Sequence, residues 1–529
     1  NGDEVSNGTT TISIADTTSS VAGNSFTYNS WNDLYTSTGA IGAGTYNTSS
    51  GYSHQAFLNA LAGSYDVSGN WVFKNLTVSP AGVGGGKTNT VRFISVNHAY
   101  GDYASNTIFT LTGDVNIYGR QNLTDKISSG SFAGKAHMTV GIEHQSYGAL
   151  PAKAINKGTM TLERDNAKGT TDGSGNIIPG TNLIGMTGMV EDYQDALNRQ
   201  PTSNTTVRNG NVWESTMENL GKIIINSRES IGVDFAEYSY YAPTRPGFYG
   251  KASLNLYTVP GNIVVNGDSN YGLRVANIFN TKDTGGSYYD ETVIDGGQGV
   301  IEVKGTQNVG VSIAKIISGS DKVLKYQLGE GTSLDNTGRP NYGTDPANAD
   351  KKTPAYGDDL IGNIYNLQVL VNGSENIGFL RKSDYMSGTY DAATAARSTY
   401  DFILTDSHIK NINFSNTAQN SVLIRTDKYG IELRKNLEID GIDDSVYNPI
   451  PAASKPSNVV LMANETQAGT ITVPTIVKNS AEISLGYGTA AAGQNALIGL
   501  MANNGGKLQN NTLGVINVNS KNSVGIAVM

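Results

Sequence analysis

The chain of 529 residues contains no cysteine, which excludes a disulfide scaffold, a thiolate metal centre and a cysteine nucleophile. The same absence suits a protein that crosses a membrane unfolded, although a reducing cytosol tolerates it equally. Charged residues make up only 16% of the chain, and its net charge of −9 comes from 37 basic and 46 acidic residues with no run of either sign. A basic footprint for a phosphate backbone is therefore missing, and nucleic acid is not expected as a partner. No stretch approaches the roughly 18 consecutive apolar residues of a membrane-spanning helix. Asn1 to Thr10 are polar and lack the charged-then-apolar order of a signal peptide. The chain opens without Met and stops at Met529 within an apolar run, so it reads as a trimmed piece whose export and anchoring elements lie elsewhere.

Glycine is plentiful, at 63 residues, but aperiodic, which excludes collagen. Asn, Thr, Ser, Ile and Val stand where helical chains use Leu, Ala, Glu and Lys, a composition of strands and turns. A chain of 55.9 kDa usually divides into several globular domains unless stacked repeats lengthen it.

A repeat is present. Gly261-Asn262-Ile263-Val264-Val265-Asn266-Gly267 followed by Asn270-Tyr271-Gly272-Leu273 returns as Gly299 to Gly305 followed by Asn308-Val309-Gly310-Val311. It recurs at Leu367 to Gly373 with Asn376-Ile377-Gly378-Phe379, and at Gly514 to Ser520 with Asn522-Ser523-Val524-Gly525-Ile526. Weaker copies begin at Lys222 and Ile412. Each unit is a short alternating strand, a polar turn, a Gly and a second short strand. One such unit cannot hide its apolar face, whereas units stacked at the strand spacing of about 4.8 Å share one interior. The expectation is an all-β chain, a parallel β-helix (β-solenoid) with protruding loops. Asn-Gly and Asn-x-Gly steps are expected to supply left-handed backbone positions, and turn Asn residues to stack amide on amide between units.

Residues 1–114 read as a less regular N-terminal cap region, with short helices at Trp31 to Thr36 and Ser53 to Ala62 and strands at Trp71 to Val78, Val91 to Val96 and Thr107 to Thr112. Residues 115–529 read as the stem, with loop insertions near 188–199, 234–256, 281–296, 320–360, 381–400 and 440–457. Met189 to Arg199 is the one convincing amphipathic helix.

With the repeat written out, the chain resembles the passenger regions of very large autotransporter adhesins, especially the fusobacterial type, through segments such as Gly514 to Ala527, Gly-Val-Ile-Asn-Val-Asn-Ser-Lys-Asn-Ser-Val-Gly-Ile-Ala. The resemblance spans roughly Gly221 to Met529. It implies a right-handed β-helix on the outer surface of a Gram-negative bacterium, held there by a C-terminal β-barrel outside this chain. The partners it implies are host-cell surface proteins, glycans or other bacteria.

Motifs of chemistry are weak. Ala81 to Thr88 fits the relaxed phosphate-loop pattern, but Asn89 to Val96 alternates like a strand instead of opening a helix. Gly267-Asp268-Ser269-Asn270 echoes a serine-protease segment but falls in the turn of the repeat, and Asp406-Ser407-His408 reads as an ordinary loop. His54, His98, His137, His144 and His408 lack ligand spacing. Asp295-Gly296-Gly297-Gln298-Gly299 starts like a calcium repeat yet has Ile301 in place of its Asp, and Asp335, Asp345 and Asp350 are loop carboxylates suited at most to bracing Ca²⁺. The pairs Asp358-Asp359 and Asp443-Asp444 would point to opposite faces of a strand. No cofactor, metal or enzymatic activity is expected.

Tyrosine carries the binding signal, at 28 residues against 12 Phe and 3 Trp, because it offers a flat apolar face with a hydroxyl rim. The densest cluster, Tyr238 to Tyr249, interrupts the repeat and holds two prolines unsuited to an inner strand. Tyr238, Tyr240, Tyr241, Arg245, Phe248 and Tyr249 are the first candidates for partner contact; Tyr288, Tyr289, Arg339 and Tyr342 follow, and then Lys382, Tyr385, Arg397 and Tyr400. The bland reading is that these rings pack on the stem and stabilise long loops. The functional expectation is a monomeric adhesin segment; the alternatives are a structural spacer of a longer passenger and a β-helix carbohydrate-active enzyme.

Overall fold

A computed structural model describes residues 3–7, 10–14, 44–47, 53–60, 63–67, 70–74, 91–96, 107–118, 139–146, 152–163, 183–190, 214–235, 251–256, 262–282, 289–318, 364–382, 402–466, 474–487 and 493–529. The described chain is almost wholly β, and its sheets are predominantly parallel. From Ser53–Ala60 to Val309–Ser318 strands recur in threes, and each pairs with the strand three places further along the chain; from Val422–Thr426 onward most pair with the strand four places on. One parallel ladder runs from Ser53–Ala60 through Val91–Val96, Thr139–Ser146, Leu183–Val190, Ile231–Phe235, Tyr271–Lys282, Val309–Ser318, Ile377–Arg381, Val422–Thr426, Asn458–Asn464 and Leu497–Asn503 to Val524–Val528. We call it the long ladder. The second ladder runs from Gly63–Val67 to Ile364–Tyr365. The third runs from Asn70–Lys74 to Ile409–Phe414. Beyond these, Phe402–Leu404, Gly430–Leu433, Ile476–Asn479 and Lys507–Asn510 form a further parallel ladder, and Leu437–Ile439, Glu482–Leu485 and Val515–Val518 another.

The parallel register reaches back to Ser53, well before the sequence pattern becomes regular. Ser53 to Ala62, expected as a helix, is instead the strand Ser53–Ala60, set parallel against Val91–Val96. Alternation of Ala56, Leu58 and Ala60 fits a strand, and a neighbouring strand of matching register outweighs local helix preference. The strands expected near Trp71, Val91 and Thr107 form as Asn70–Lys74, Val91–Val96 and Thr107–Leu111. Antiparallel pairing appears mainly near the amino terminus, where Asp3–Asn7 lies between Thr10–Ile14 and Asn70–Lys74. Trp31 to Thr36 lies outside the described residues. Of the helix expected at Met189 to Arg199, Met189 and Val190 finish the strand Leu183–Val190, and the remainder lies outside them.

The interior follows from strand alternation. In the third ladder Val115, Met160, Ile223, Ile263, Ile301, Val369 and Ile412 make one inward row, and Ile117, Leu162, Ile225, Val265, Val303, Val371 and Phe414 make the next, all of them buried. Facing them from the long ladder are Ile142, Met186, Val233, Leu273, Val311, Phe379 and Ile424. Each such side chain contributes about 1.5–3 kcal/mol through burial, so the ladders are held by a single continuous apolar interior.

Glycine is required where the ladders close on one another. A Cβ at Gly272 would stand 2.7 Å from the carbonyl oxygen of Gly310 and 2.8 Å from Ile301 Cγ2. Gly141, Gly185, Gly232, Gly310 and Gly378 occupy the same place in their units, and there the backbones leave no room for a side chain. Further on, Leu423 and Val460 take this position with fully buried side chains. The last unit presents Val515, Val518, Val524, Ile526 and Val528 at 44–77% exposure.

Candidate functional site

Three corners join the ladders within each unit, and they differ in construction. At the corner from the third ladder to the long ladder, the later units use a tight polar arc. The backbone N–H of Ser230 donates to Asn270 Oδ1 (2.8 Å), that of Asn270 to Asn308 Oδ1 (2.8 Å), and that of Asn308 to Asn376 Oδ1 (2.8 Å). The row continues from Asn376 N–H to Ser421 Oγ (3.1 Å) and from Ser421 N–H to Asn458 Oδ1 (3.0 Å). All six residues are buried. The amide nitrogens reach back one unit: Asn270 Nδ2 donates to Ser227 O (2.8 Å), Asn308 Nδ2 to Gly267 O (2.6 Å) and Asn458 Nδ2 to Ala418 O (2.7 Å). Each Asn side chain thus ties its own unit to the preceding one and satisfies buried backbone groups there, while its backbone N–H is bonded by the side chain of the following unit.

The expected stacking of Asn is therefore present, but in this row it runs from backbone N–H to side-chain oxygen. Amide-on-amide bonds occur elsewhere, from Asn156 to Asn219 (2.8 Å), Asn266 to Asn226 (2.9 Å) and Asn479 to Asn510 (2.9 Å). The left-handed positions also differ from expectation. At this corner they fall on Glu229, Ser269, Gln307, Glu375 and Asn420, each directly before the buried Ser or Asn, and on Asn522 before the half-buried Ser523, with φ between 50° and 58°. Gly305 and Gly373 do have positive φ. The Gly of the Asn-x-Gly step is instead selected for close packing, as at Gly272.

The corner from the second ladder to the third is short. Here Asp295 Oδ1 accepts from Gly297 N (2.9 Å) and Asn366 Nδ2 (3.0 Å), so this aspartate is engaged in bracing a turn. At the equivalent place His408 is buried and its Nδ1 accepts from Thr405 N–H (3.0 Å), while Asp406 meets Lys435 at 2.7 Å. Asp406, Ser407 and His408 accordingly build a turn. Asp268 and Ser269, in the protease-like segment, lie in the polar arc, where the Asp268 backbone pairs in parallel with that of Arg228 and Thr306. His144 is buried on the long ladder. Among the described residues no group of three His, Cys, Asp or Glu side chains is placed to hold a metal ion, and no helix is long and apolar enough to cross a membrane.

From residue 191 on, the corner from the long ladder to the second carries the long insertions, whereas the earlier segments 119–138 and 164–182 lie at the corner from the third ladder to the long ladder. Segments 191–213, 236–250, 283–288, 319–363 and 383–401 each leave a long-ladder strand or the residue after it. Each re-enters at the next strand: Glu214–Asn219, Lys251–Leu256, Tyr289–Asp295, Ile364–Tyr365 or Phe402–Leu404. Successive units therefore place their extra chain at one corner. Tyr238, Tyr240, Tyr241, Arg245, Phe248, Tyr249, Tyr288, Arg339 and Tyr342 all lie within these segments and outside the described residues, as do Tyr385, Arg397 and Tyr400. Tyr289, expected in a loop, opens the strand Tyr289–Asp295 and pairs antiparallel with Lys282, because the strand Tyr271–Lys282 extends to form a ribbon. Ala81 to Thr88, Asp335, Asp345, Asp350 and Asp358-Asp359 are likewise outside the described residues.

Of the charged groups at the base of this corner, only Lys382 was singled out from the sequence. Asp234, fully buried one residue before the end of its strand, accepts a two-pronged pair from Arg274, with Nε at 2.9 Å and Nη2 at 2.6 Å. Lys382 Nζ donates to the Tyr271 hydroxyl (2.8 Å). Arg381 is 1% exposed and lies over Phe402, 3.8 Å from the ring centroid. The signal for Arg381 was available: strand alternation from Phe379 places it inward.

Residues 440–457 are not one loop. They hold the short strand Ile442–Asp443 and a one-turn helix, Asp444–Tyr447. The Asp443-Asp444 pair, expected on a strand, straddles the helix start, where Asp443 Oδ1 caps Ser445 N–H at 2.9 Å. The hydrogen bonds from the Ser445 backbone and side chain hold the Asp443 carboxyl below the usual range. Asp444 is lowered by Asn495 and Lys521, the latter at 3.0 Å. At Glu432, burial opposes ionisation, but hydrogen bonds from Arg434 and Ser480 with the charges of Arg434 and Lys478 outweigh it and lower the carboxyl.

No family model, curated protein or solved structure matches this chain.

Proposed function

We propose that the chain is a right-handed parallel β-helix that serves as the stem of a bacterial surface adhesin, similar to autotransporter passengers, and that it is non-enzymatic. Its contacts with host-cell surface proteins, glycans or partner bacteria are made by the insertions. In this reading the parent protein is held at the outer membrane by a C-terminal barrel beyond this chain. Three-strand units in continuous parallel register support the β-helix. The observation that carries the adhesive role is that segments 191–213, 236–250, 283–288, 319–363 and 383–401 share one corner on successive units. Successive strands in a ladder are about 4.8 Å apart, so a partner running along the stem would meet several insertions at once. Tyr240, Tyr241, Arg245 and Tyr249 are of the types enriched at binding hot spots.

The test is saturable binding of the purified chain to a panel of glycans, host-cell surfaces and bacteria, repeated with Tyr240, Tyr241, Arg245 and Tyr249 changed to Ala. Loss of binding with unchanged thermal unfolding is the expected result. An intact chain that binds nothing on the panel would replace this reading with that of a spacer. Release of oligosaccharide from a polysaccharide would replace it with an enzyme.

A further inference from the structure

The inward row of the long ladder that holds Val275 and Ile313 continues with Arg381, then Thr426, Ala463 and Ala502. Arg381 is buried among them. A guanidinium in an apolar row is expensive to desolvate, and an apolar residue of similar volume at such a place is commonly neutral or stabilising. Burial alone therefore does not account for an arginine here.

Its contacts do. The guanidinium carbon lies 3.8 Å from the centre of the Phe402 ring and 5.1 Å from that of Tyr429, and Nη1 donates to the carbonyl of Gly430. Arg381 ends the strand before segment 383–401, and Phe402 begins the strand after it. Tyr429 and Gly430 belong to the same corner of the following unit, which turns tightly between Val422–Thr426 and Gly430–Leu433. That turn is fixed on the same residue, since Asp427 N–H donates to Arg381 O (2.9 Å). One side chain thus ties exit, entry and the next turn together.

We infer that Arg381 is a positioning residue: it staples the strand ends that flank segment 383–401 to each other and to the turn beneath, fixing the points where that segment leaves and re-enters the corner. The consequence for binding rests on the adhesive reading; the staple does not.

The test uses the whole chain with Arg381→Met, which fills the space without charge or donors, and Arg381→Lys, which keeps the charge but loses the flat stack. Trypsin cleavage is timed by mass spectrometry at Arg397, inside the stapled segment, and at Arg339 and Lys351, inside 319–363. Local cleavage tracks the population of the open form, so loss of a desolvated cation–π contact is expected to speed cutting at Arg397 on the order of tenfold in Arg381→Met. Arg381→Lys should fall between, with cutting at Arg339 and Lys351 and the melting temperature unchanged. Equal acceleration at all three sites, or a lowered melting temperature, would show a general structural role and overturn the inference. Unchanged cutting at Arg397 would overturn it too. Loss of partner binding plays no part in this readout, so a failed adhesive reading and a failed staple are told apart.

Discussion

Asn308 is the residue whose removal should reveal how the units are joined. It is fully buried, accepts from Asn270 N–H at 2.8 Å, and donates to Gly267 O at 2.6 Å and Lys304 O at 2.5 Å. Asn308→Ala leaves the Asn270 N–H without an acceptor, which costs about 1–3 kcal/mol, and strips a donor from two carbonyls at about 0.5–1.5 kcal/mol each. The sum is about 2–6 kcal/mol. Asn308→Ser should cost less, because Ser421 shows how a hydroxyl serves: it accepts from Asn376 N–H (3.1 Å) while donating to Gln419 O (2.9 Å). Asn308→Asp keeps the acceptor but sets carboxylate oxygens against the carbonyls of Gly267 and Lys304, so it should be the worst of the three at neutral pH and recover in part as acid protonates it. Urea unfolding gives the stability change, and hydrogen exchange gives the protection of the Asn270 amide. If Asn308→Ala stays within about 0.5 kcal/mol of the parent, the scale of an ordinary surface change, and Asn270 keeps its protection, the polar row does not join the units and the reasoning is wrong.

Other substitutions separate sterics from conformation. Gly310→Ala would bring a Cβ to 2.7 Å from Gly378 O and 2.9 Å from two valine methyl groups, so thermal unfolding should show a loss of about 1–3 kcal/mol or more; Gly505→Ala, with φ of 86° and nothing within 4 Å, should lose only about 1–2 kcal/mol from backbone strain. At Gln307, where φ is 57°, substitution by Gly should be neutral or stabilising and by Val destabilising by about 1–2 kcal/mol in urea melts. Glu432 has a lowered carboxyl pKa, from Arg434 and Ser480 against the opposing effect of burial. The folded value lies below the unfolded one, so its contribution is present above the usual carboxylate range of about 4 and is lost as pH falls through the lower folded value; Glu432→Gln should flatten this part of the acid unfolding curve.

Much of the fold is legible in the residues. The copies at Ile263, Ile301 and Val369, with the weaker ones at Ile223 and Ile412, become neighbouring strands of one ladder, in the register that their repeat implies. Alternation over three residues, followed by a fixed polar arc, leaves little freedom of pairing. Before residue 226 the arcs are replaced by longer segments, such as 75–90 between Asn70–Lys74 and Val91–Val96 and 164–182 between Thr159–Glu163 and Leu183–Val190, so the repeat is hidden although the strands still pair in parallel. Ser53 to Ala62 misled for a related reason: its pattern suits either a helix or a strand, and only the partner Val91–Val96 decides. Left-handed backbone at Glu229 or Gln307 was illegible because neither residue favours it; the buried Ser230 and Asn308 bonds beside them impose it. That the insertions share a corner is a property of the count of three strands per unit, which no single segment carries.

The central claim, that the insertions at one corner form the contact face, is tested most directly by hydrogen exchange of the whole chain with and without whatever cell surface or glycan it captures. The account predicts protection of segments 236–250, 319–363 and 383–401 with no change at the polar arcs around Asn270, Asn308 and Asn376. Protection centred on those arcs, with the insertions unaffected, would contradict it.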